Sequence, residues 1–207
     1  MPSNSWYKNF AELSKAEREH LDFKRRAARR WSRYVILAPH GGGIEPGTTE
    51  LARAIAGWAH SFYSFEGIKL SGNEILHITS TLFDEPKCVA LLNHAKIAMA
   101  IHGCDGKEAA VFIGGLHHDL GGRLIESLNA VGIRAFKADG NLAGEQAENI
   151  CNRARSGMGV QMELSTGLRR SMFAGLGRQE RLRTKPVFKL FARTVRAALA
   201  EYSKESR

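Results

Sequence analysis

The run His40-Gly-Gly-Gly-Ile-Glu45-Pro-Gly-Thr-Thr-Glu50 puts a histidine and a glutamate, both donors that zinc accepts, into a loop made almost wholly of turn residues. Three consecutive glycines let a backbone approach a ligand closely, and Pro46-Gly47 turns the chain, so the His40 and Glu45 side chains can converge on one point. The residues alone leave two readings open: part of a metal site, or a glycine-rich turn whose polar side chains face water. A phosphate-binding loop does not fit, because no Lys-Ser or Lys-Thr follows the glycines.

Further polar groups recur at the ends of apolar runs. His102 follows Ile97-Ala-Met-Ala-Ile101, and Glu163 follows Val160-Gln-Met162. If these runs are parallel strands, His40, His102 and Glu163 all emerge on one edge of a sheet, the edge where open α/β sheets place their chemistry. Histidine and carboxylate donors with one open position describe a catalytic zinc arrangement, in which bound water becomes a nucleophile near neutral pH. A carboxylate beside that water, the role open to Glu163, takes its proton and passes it to a leaving amine. The plainer reading of Glu163 is a strand-end carboxylate paired with an arginine. Asn149, Asn152, Arg153 and Arg169 flank the Glu163 strand and offer donors suited to a substrate carboxylate; helix-surface arginines and a helix-terminal asparagine are the alternative. His77, His117 and His118 compete as ligands, His77 reading as a core histidine within a strand and the other two as residues that precede a helix.

The elements that must position these groups follow from periodicity. Tyr34-Val-Ile-Leu-Ala-Pro39 reads as a buried strand leading into the loop, and Thr49 to His60 as a helix with Leu51, Ile55 and Trp58 on its apolar side. A short helix is expected near Phe10 to His20, strands at 61–67, 74–78, 97–101, 109–113 and 159–164, and helices at 85–94, through Leu120 to Leu128, from about Glu145, and over 186–202. The stretch from Leu21 to Arg33 is ambiguous. Apolar strands alternating with amphipathic helices predict an α/β sandwich whose sheet is mixed or largely parallel.

With 207 residues and 43% hydrophobic content the chain suffices for one core, and no composition shift divides it, so a single domain over 1–207 is expected. No apolar stretch reaches membrane-spanning length and the first residues are polar, which predicts a cytoplasmic protein made without a signal peptide. Cys88, Cys104 and Cys151 are odd in number and lack CxxC spacing, as expected of free thiols. A net charge of +9 favours polyanionic partners. The basic clusters Lys24 to Arg33 and Arg178 to Lys185 lack a recognisable nucleic-acid motif, so nucleic-acid binding is the weaker alternative.

Taken in order, Ala38-Pro-His40-Gly-Gly-Gly-Ile-Glu45-Pro-Gly-Thr-Thr-Glu50, His77-Ile-Thr-Ser-Thr81 with Phe83-Asp-Glu-Pro86, Ala100-Ile-His102-Gly103, Asn149-Ile-Cys-Asn152-Arg153 and Gly159-Val-Gln-Met-Glu163-Leu-Ser165 resemble the phage-type poly-γ-glutamate hydrolase family. The resemblance spans roughly residues 34–170 and implies an open α/β fold with a mixed central sheet, similar to zinc carboxypeptidases, and hydrolysis of γ-glutamyl amide bonds. It implies His40, Glu45 and His102 as ligands of one zinc ion per chain, Glu163 as general base and acid, and an Asn152-Arg153 pair holding a substrate carboxylate. Asn149 and Arg169 are carried as further substrate contacts. The same chemistry on N-formylglutamate or a short γ-glutamyl peptide is the nearest alternative. The basic clusters lie outside the matched motifs.

Overall fold

In the computed structural model, residues 6–205 are described. The polar start read above as lacking a leader falls mainly on residues 1–5, outside the described residues. In chain order the elements are α1 (Phe10–Ala16), β1 (Phe23–Ala28), β2 (Tyr34–Gly42), α2 (Thr48–Ala56), β3 (Ser61–Gly67), α3 (Pro86–Leu92), β4 (Ile97–Cys104), β5 (Val111–Gly114), α4 (His118–Ala130), β6 (Ala135–Lys137), β7 (Val160–Ser165), α5 (Thr166–Met172) and α6 (Pro186–Glu205). One seven-stranded sheet has the order β1-β3-β2-β4-β7-β5-β6. Its centre, β3, β2, β4 and β7, is parallel. β1 pairs antiparallel with β3, and β5 pairs antiparallel with β7, so the α/β architecture with a mixed, centrally parallel sheet is the one expected.

The four central strands are buried along their whole length, as strands covered by helices on both faces must be. Alternation divides them between two cores. Tyr34, Ile36, Ala38, Met99, Ile101, Val160, Met162 and Leu164 pack with α2, α4, α5 and α6. Val35, Leu37, Ala98 and Ala100 face the other way, onto Leu13, Phe83, Leu91 and Ile150. The three cysteines are buried and unpaired.

Departures from expectation have local causes. The ambiguous stretch holds β1, an edge strand whose Lys24 and Arg26 alternate with Phe23 and Arg25; charged edges of this kind discourage pairing with other chains. Helix α2 stops at Gly57, whose φ of 52° suits a residue without Cβ, so Trp58 lies beyond the helix and is 92% exposed instead of packing on its apolar side. No strand forms at 74–78: Asn73–Leu76 is a 3₁₀ turn, and His77 follows it in extended conformation. No helix starts at Glu145 either, because Asn149 and Asn152 bond backbone groups locally, Asn149 capping a 3₁₀ turn over Ile150–Asn152 and Asn152 donating to the Gly144 and Gln146 carbonyls. β6, three residues long, is too short to show a period.

One irregularity aims the chemistry. Between Ala38 and Gly41 the β2–β3 register slips, three steps on β2 matching two on β3. Strict alternation would send His40 to the α2 face with Ala38; the extra residue turns it to the other face, where it meets Phe83 and the Ile78 carbonyl.

Candidate metal centre

The His40 ring is 1% exposed and its Nε2–H donates to the Ile78 carbonyl at 2.7 Å, a contact that leaves Nδ1 facing inward. From there Nδ1 lies 2.9 Å from Glu45 Oε1 and 3.2 Å from Nδ1 of His102. His102 Nδ1 is 3.5 Å from Glu45 Oε2, and Glu45 Oε2 also accepts the Gly103 amide at 2.8 Å. Donors about 2.0–2.1 Å from a tetrahedral zinc stand about 3.3 Å apart, so these separations fit one ion among the three side chains. The chemistry of the set fits as well: two ring nitrogens and a carboxylate aimed at each other in a buried space suit a cation between them. Burial pushes the Glu45 carboxyl up, but His40 and His102 outweigh it and hold it well below the usual carboxylate range. His102 is pulled down by burial and raised on balance by Glu45 and Glu163.

His77 was expected in a strand core, yet it joins this cluster. One donor atom each from His40, Glu45 and His77 lie within 4.8 Å of one another, with His77 Nε2 3.9 Å from Glu45 Oε1. The His77 and His40 rings lie nearly face to face, centroids 3.9 Å apart and planes 35° apart, so their in-plane lone pairs run side by side more than they converge. The neighbouring His40 ring foremost, then burial, drives the His77 pKa down to about 3.

Because β4 and β7 are parallel neighbours, His102 and Glu163 pair directly across the ladder and emerge on the same face. Burial foremost, with Glu45 adding to it and His102 and Arg169 opposing, raises the Glu163 pKa to about 7. Its Oε1 accepts from Gln161 Nε2 at 3.2 Å; Gln161 is in turn held by Asn149, whose Nδ2 donates to Gln161 Oε1 at 2.9 Å. Gln161 and Glu163 are i and i+2 on one strand, the spacing that would have revealed Gln161 in the sequence. Replacing Gln161 with Met, which keeps its length and removes its amide contacts to Glu163, Asn149 and the Leu142 carbonyl, is expected to lower kcat about ten-fold or more with bound zinc unchanged, the usual cost of losing an orienting partner. Steady-state kinetics beside metal analysis checks this.

The model of the family described as poly-gamma-glutamate hydrolase matches residues 7–196. The chain belongs to the poly-gamma-glutamate hydrolase family. Among solved structures it superposes on a bacteriophage poly-gamma-glutamate hydrolase with a TM-score of 0.94 at 34% identity, covering 97% of this chain and 99% of that one. A zinc-free apo structure of YNDL gives a TM-score of 0.91, also at 34% identity, over 95% of this chain and 98% of that one. Curated relatives include the SPbeta prophage-derived UPF0714 protein YoqZ of Bacillus subtilis (strain 168), 40% identical over 81% of this chain, and UPF0714 protein YndL of the same organism, 37% identical over 81%. This chain spans 61% and 66% of the lengths of those two relatives. An N-formylglutamate amidohydrolase from Ralstonia eutropha JMP134 shares the fold, with a TM-score of 0.54 at 13% identity over 90% of this chain and 99% of that one.

Within this member of the poly-gamma-glutamate hydrolase family, three of the four flanking polar residues, Asn149, Asn152 and Arg169, are engaged in hydrogen bonds within the fold. Asn152 is 2% exposed and fully engaged: Oδ1 accepts the Leu116 and Gly159 amides, and Nδ2 donates to Gly144 and Gln146 carbonyls. Asn149 is spent on Gln161 and the Cys151 amide. Arg169, 4% exposed, makes four hydrogen bonds, to the carbonyls of Leu164, Pro46 and Cys104 and to Thr166 Oγ1. It ties the metal loop to the ends of β4 and β7 and has no fork left for a carboxylate. Gly103 admits it, since a Cβ there would lie 2.7 Å from Arg169 Cζ. Arg153 alone of the four is half-buried with a single hydrogen bond in view, to the Phe83 carbonyl at 2.7 Å.

The loop glycines are also filled from within. A Cβ on Gly41 would stand 2.1 Å from Thr49 Oγ1 and 2.5 Å from Ser64 Oγ, one on Gly42 2.4 Å from the Gly67 carbonyl, and one on Gly43 2.6 Å from Asn73 Nδ2. They permit close packing of β2 on its neighbours and do not leave room for a ligand backbone. Gly41→Ala should therefore destabilise the fold by about 1–3 kcal/mol, read as a lower urea midpoint whether or not substrate is present.

Proposed function

We propose that this chain is a zinc-dependent hydrolase that cleaves γ-glutamyl amide bonds of poly-γ-glutamate. The observation that carries the reading is the convergence of His40, Glu45 and His102 donors beside Glu163 on one edge of the sheet. His40, Glu45 and His102 would hold the ion, with His40 oriented by Ile78 and Glu45 by the Gly103 amide. When bound, zinc supplies Lewis acidity that lowers the pKa of water and polarises a carbonyl.

The rest of the work falls to the chain. Glu163, poised near neutrality, takes a proton from the attacking water and returns it to the departing amine nitrogen. Gln161 fixes one carboxylate oxygen so that the other faces the reacting atoms. Arg153 binds a glutamate carboxylate of the substrate, and Arg169 keeps the metal loop seated. Family membership supports poly-γ-glutamate as the substrate class.

Linkage is the property to test. Incubated with γ-linked and α-linked polyglutamate of equal length, the protein should shorten the γ-linked polymer only. Equal cleavage of both, or faster turnover of N-formylglutamate than of any γ-linked chain, would contradict the assignment.

A further inference from the structure

The row of side chains that includes His102 and Glu163 does not stop at Glu163. Register sets His102 of β4 opposite Glu163 of β7, Glu163 opposite Phe112 of β5, and Phe112 opposite Phe136 of β6. Directly opposed residues share a face, so all four stand on the metal face of the sheet, while Val111, Ile113 and Ala135 alternate into the opposite core. Phe112 lies one strand from Glu163, about 5 Å between Cα atoms, and Phe136 two strands away, about 10 Å.

This end of the row is open. The Phe112 and Phe136 rings stack with centroids 6.0 Å apart and planes 29° apart, and Phe136, on the edge strand, is 42% exposed. Both rings line a cavity of about 370 Å³ together with Ser165, which stands two residues beyond Glu163 on β7. Ser165 Oγ donates to the Glu108 carbonyl at 2.6 Å and accepts the Ala110 amide at 3.1 Å, which ties the loop at the cavity rim to the Glu163 strand. Charges on that rim balance, Asp105 and Glu108 against Lys107 and Arg134. Arg134 is paired with Glu108 at 2.7 Å, and its guanidinium lies 5.5 Å from the Phe136 ring centre. The cavity thus offers aromatic surface without surplus charge, in a chain whose net charge is +9. Exposed rings of this kind gain by packing an apolar group.

We infer that the Phe112/Phe136 pair is the subsite for the group on the amine side of the scissile bond, and that it gives the protein a second class of substrate, γ-glutamyl amides of apolar and aromatic amino acids. The inference rests on the proposed function. Every γ-glutamyl compound carries the glutamate α-carboxylate on the acyl side, whereas the amine side varies, so aromatic walls with balanced charge suit the amine. In the polymer that group is the next glutamate, whose methylenes lie on the rings. A phenylalanine side chain fills the same space with more apolar contact. The bond changes stay the same: a water oxygen bonds the γ-carbonyl carbon, the carbon–nitrogen bond breaks, and the water proton taken by Glu163 goes to the nitrogen, releasing glutamate and the free amino acid.

The test compares wild type and Phe136→Ala on γ-glutamylphenylalanine, γ-glutamylglycine and poly-γ-glutamate, following amine release, with circular dichroism to confirm folding. Wild-type kcat/KM should be at least about ten-fold higher on the phenylalanine compound than on the glycine compound. Phe136→Ala should bring that ratio to within about three-fold of one, and Phe136→Tyr, which keeps the ring, should retain it. A wild-type ratio near one, a ratio unchanged in folded Phe136→Ala, or cleavage of the polymer alone overturns the subsite, and polymer cleavage in the same assay leaves the hydrolase standing. If wild type cleaves none of the three, the hydrolase reading fails, and calorimetry with γ-glutamylphenylalanine and zinc-loaded protein decides the subsite. Weaker binding to Phe136→Ala than to wild type supports it; equal binding, or none to wild type, overturns it.

Discussion

Replacing Glu163 with glutamine should leave a folded, zinc-loaded protein that turns over poly-γ-glutamate about a hundred-fold or more slowly, the range lost with a positioned acid–base group. Glutamine keeps the shape, and its carbonyl can still accept from Gln161 Nε2. What it removes is a group that can hold and release a proton near neutral pH, a capacity that burial gives Glu163 by lifting its carboxyl to about 7. Because Glu163 lies across the ladder from His102 and outside the His40–Glu45–His102 contacts, zinc content should be unaffected. Amine release and metal analysis on the same preparation separate the two effects. A rate within about three-fold of the parent would remove Glu163 from the chemistry.

The second large effect distinguishes the two histidines that flank the shared pair. His102→Ala should abolish both zinc binding and turnover, because it deletes a buried donor 3.2 Å from His40 Nδ1 and 3.5 Å from Glu45. His77→Ala should keep the zinc, since His77 stacks on His40, is partly exposed, and comes no nearer to Glu45 than 3.9 Å. Zinc per chain measured on both variants, with circular dichroism to confirm folding, gives the answer. Zinc lost from His77→Ala and kept by His102→Ala would shift the metal to the His77 side.

What was legible in the sequence, and what was not, divides along physical lines. Apolar runs ending at a histidine gave β2 and β4, and alternation gave β3, because strands buried on both faces are rich in apolar residues. That His40, Glu45 and His102 could meet also follows from strand ends on a parallel sheet. The role of the bulge did not: a register slip belongs to the pairing of β2 with β3, and nothing in β2 alone tells that His40 changes face. His77 was hidden for the same reason, since a 3₁₀ turn read as a strand offers no sign of proximity to residue 40. The internal bonding of the flanking amides was equally hidden, because an Asn near a site in sequence can spend its donors on the backbone, as Asn152 does. The loop glycines misled likewise: their missing Cβ atoms are required by Thr49, Ser64, Gly67 and Asn73.

The central claim is that a metal held by His40, Glu45 and His102 hydrolyses γ-glutamyl bonds. It is tested most directly by incubating poly-γ-glutamate with protein stripped of metal by chelation and then restored with one equivalent of zinc, following polymer length by size exclusion. Stripped protein should leave the polymer intact, and restored protein should shorten it with about one zinc bound per chain. Shortening by the stripped protein, or an intact polymer after zinc is demonstrably bound, would contradict the account.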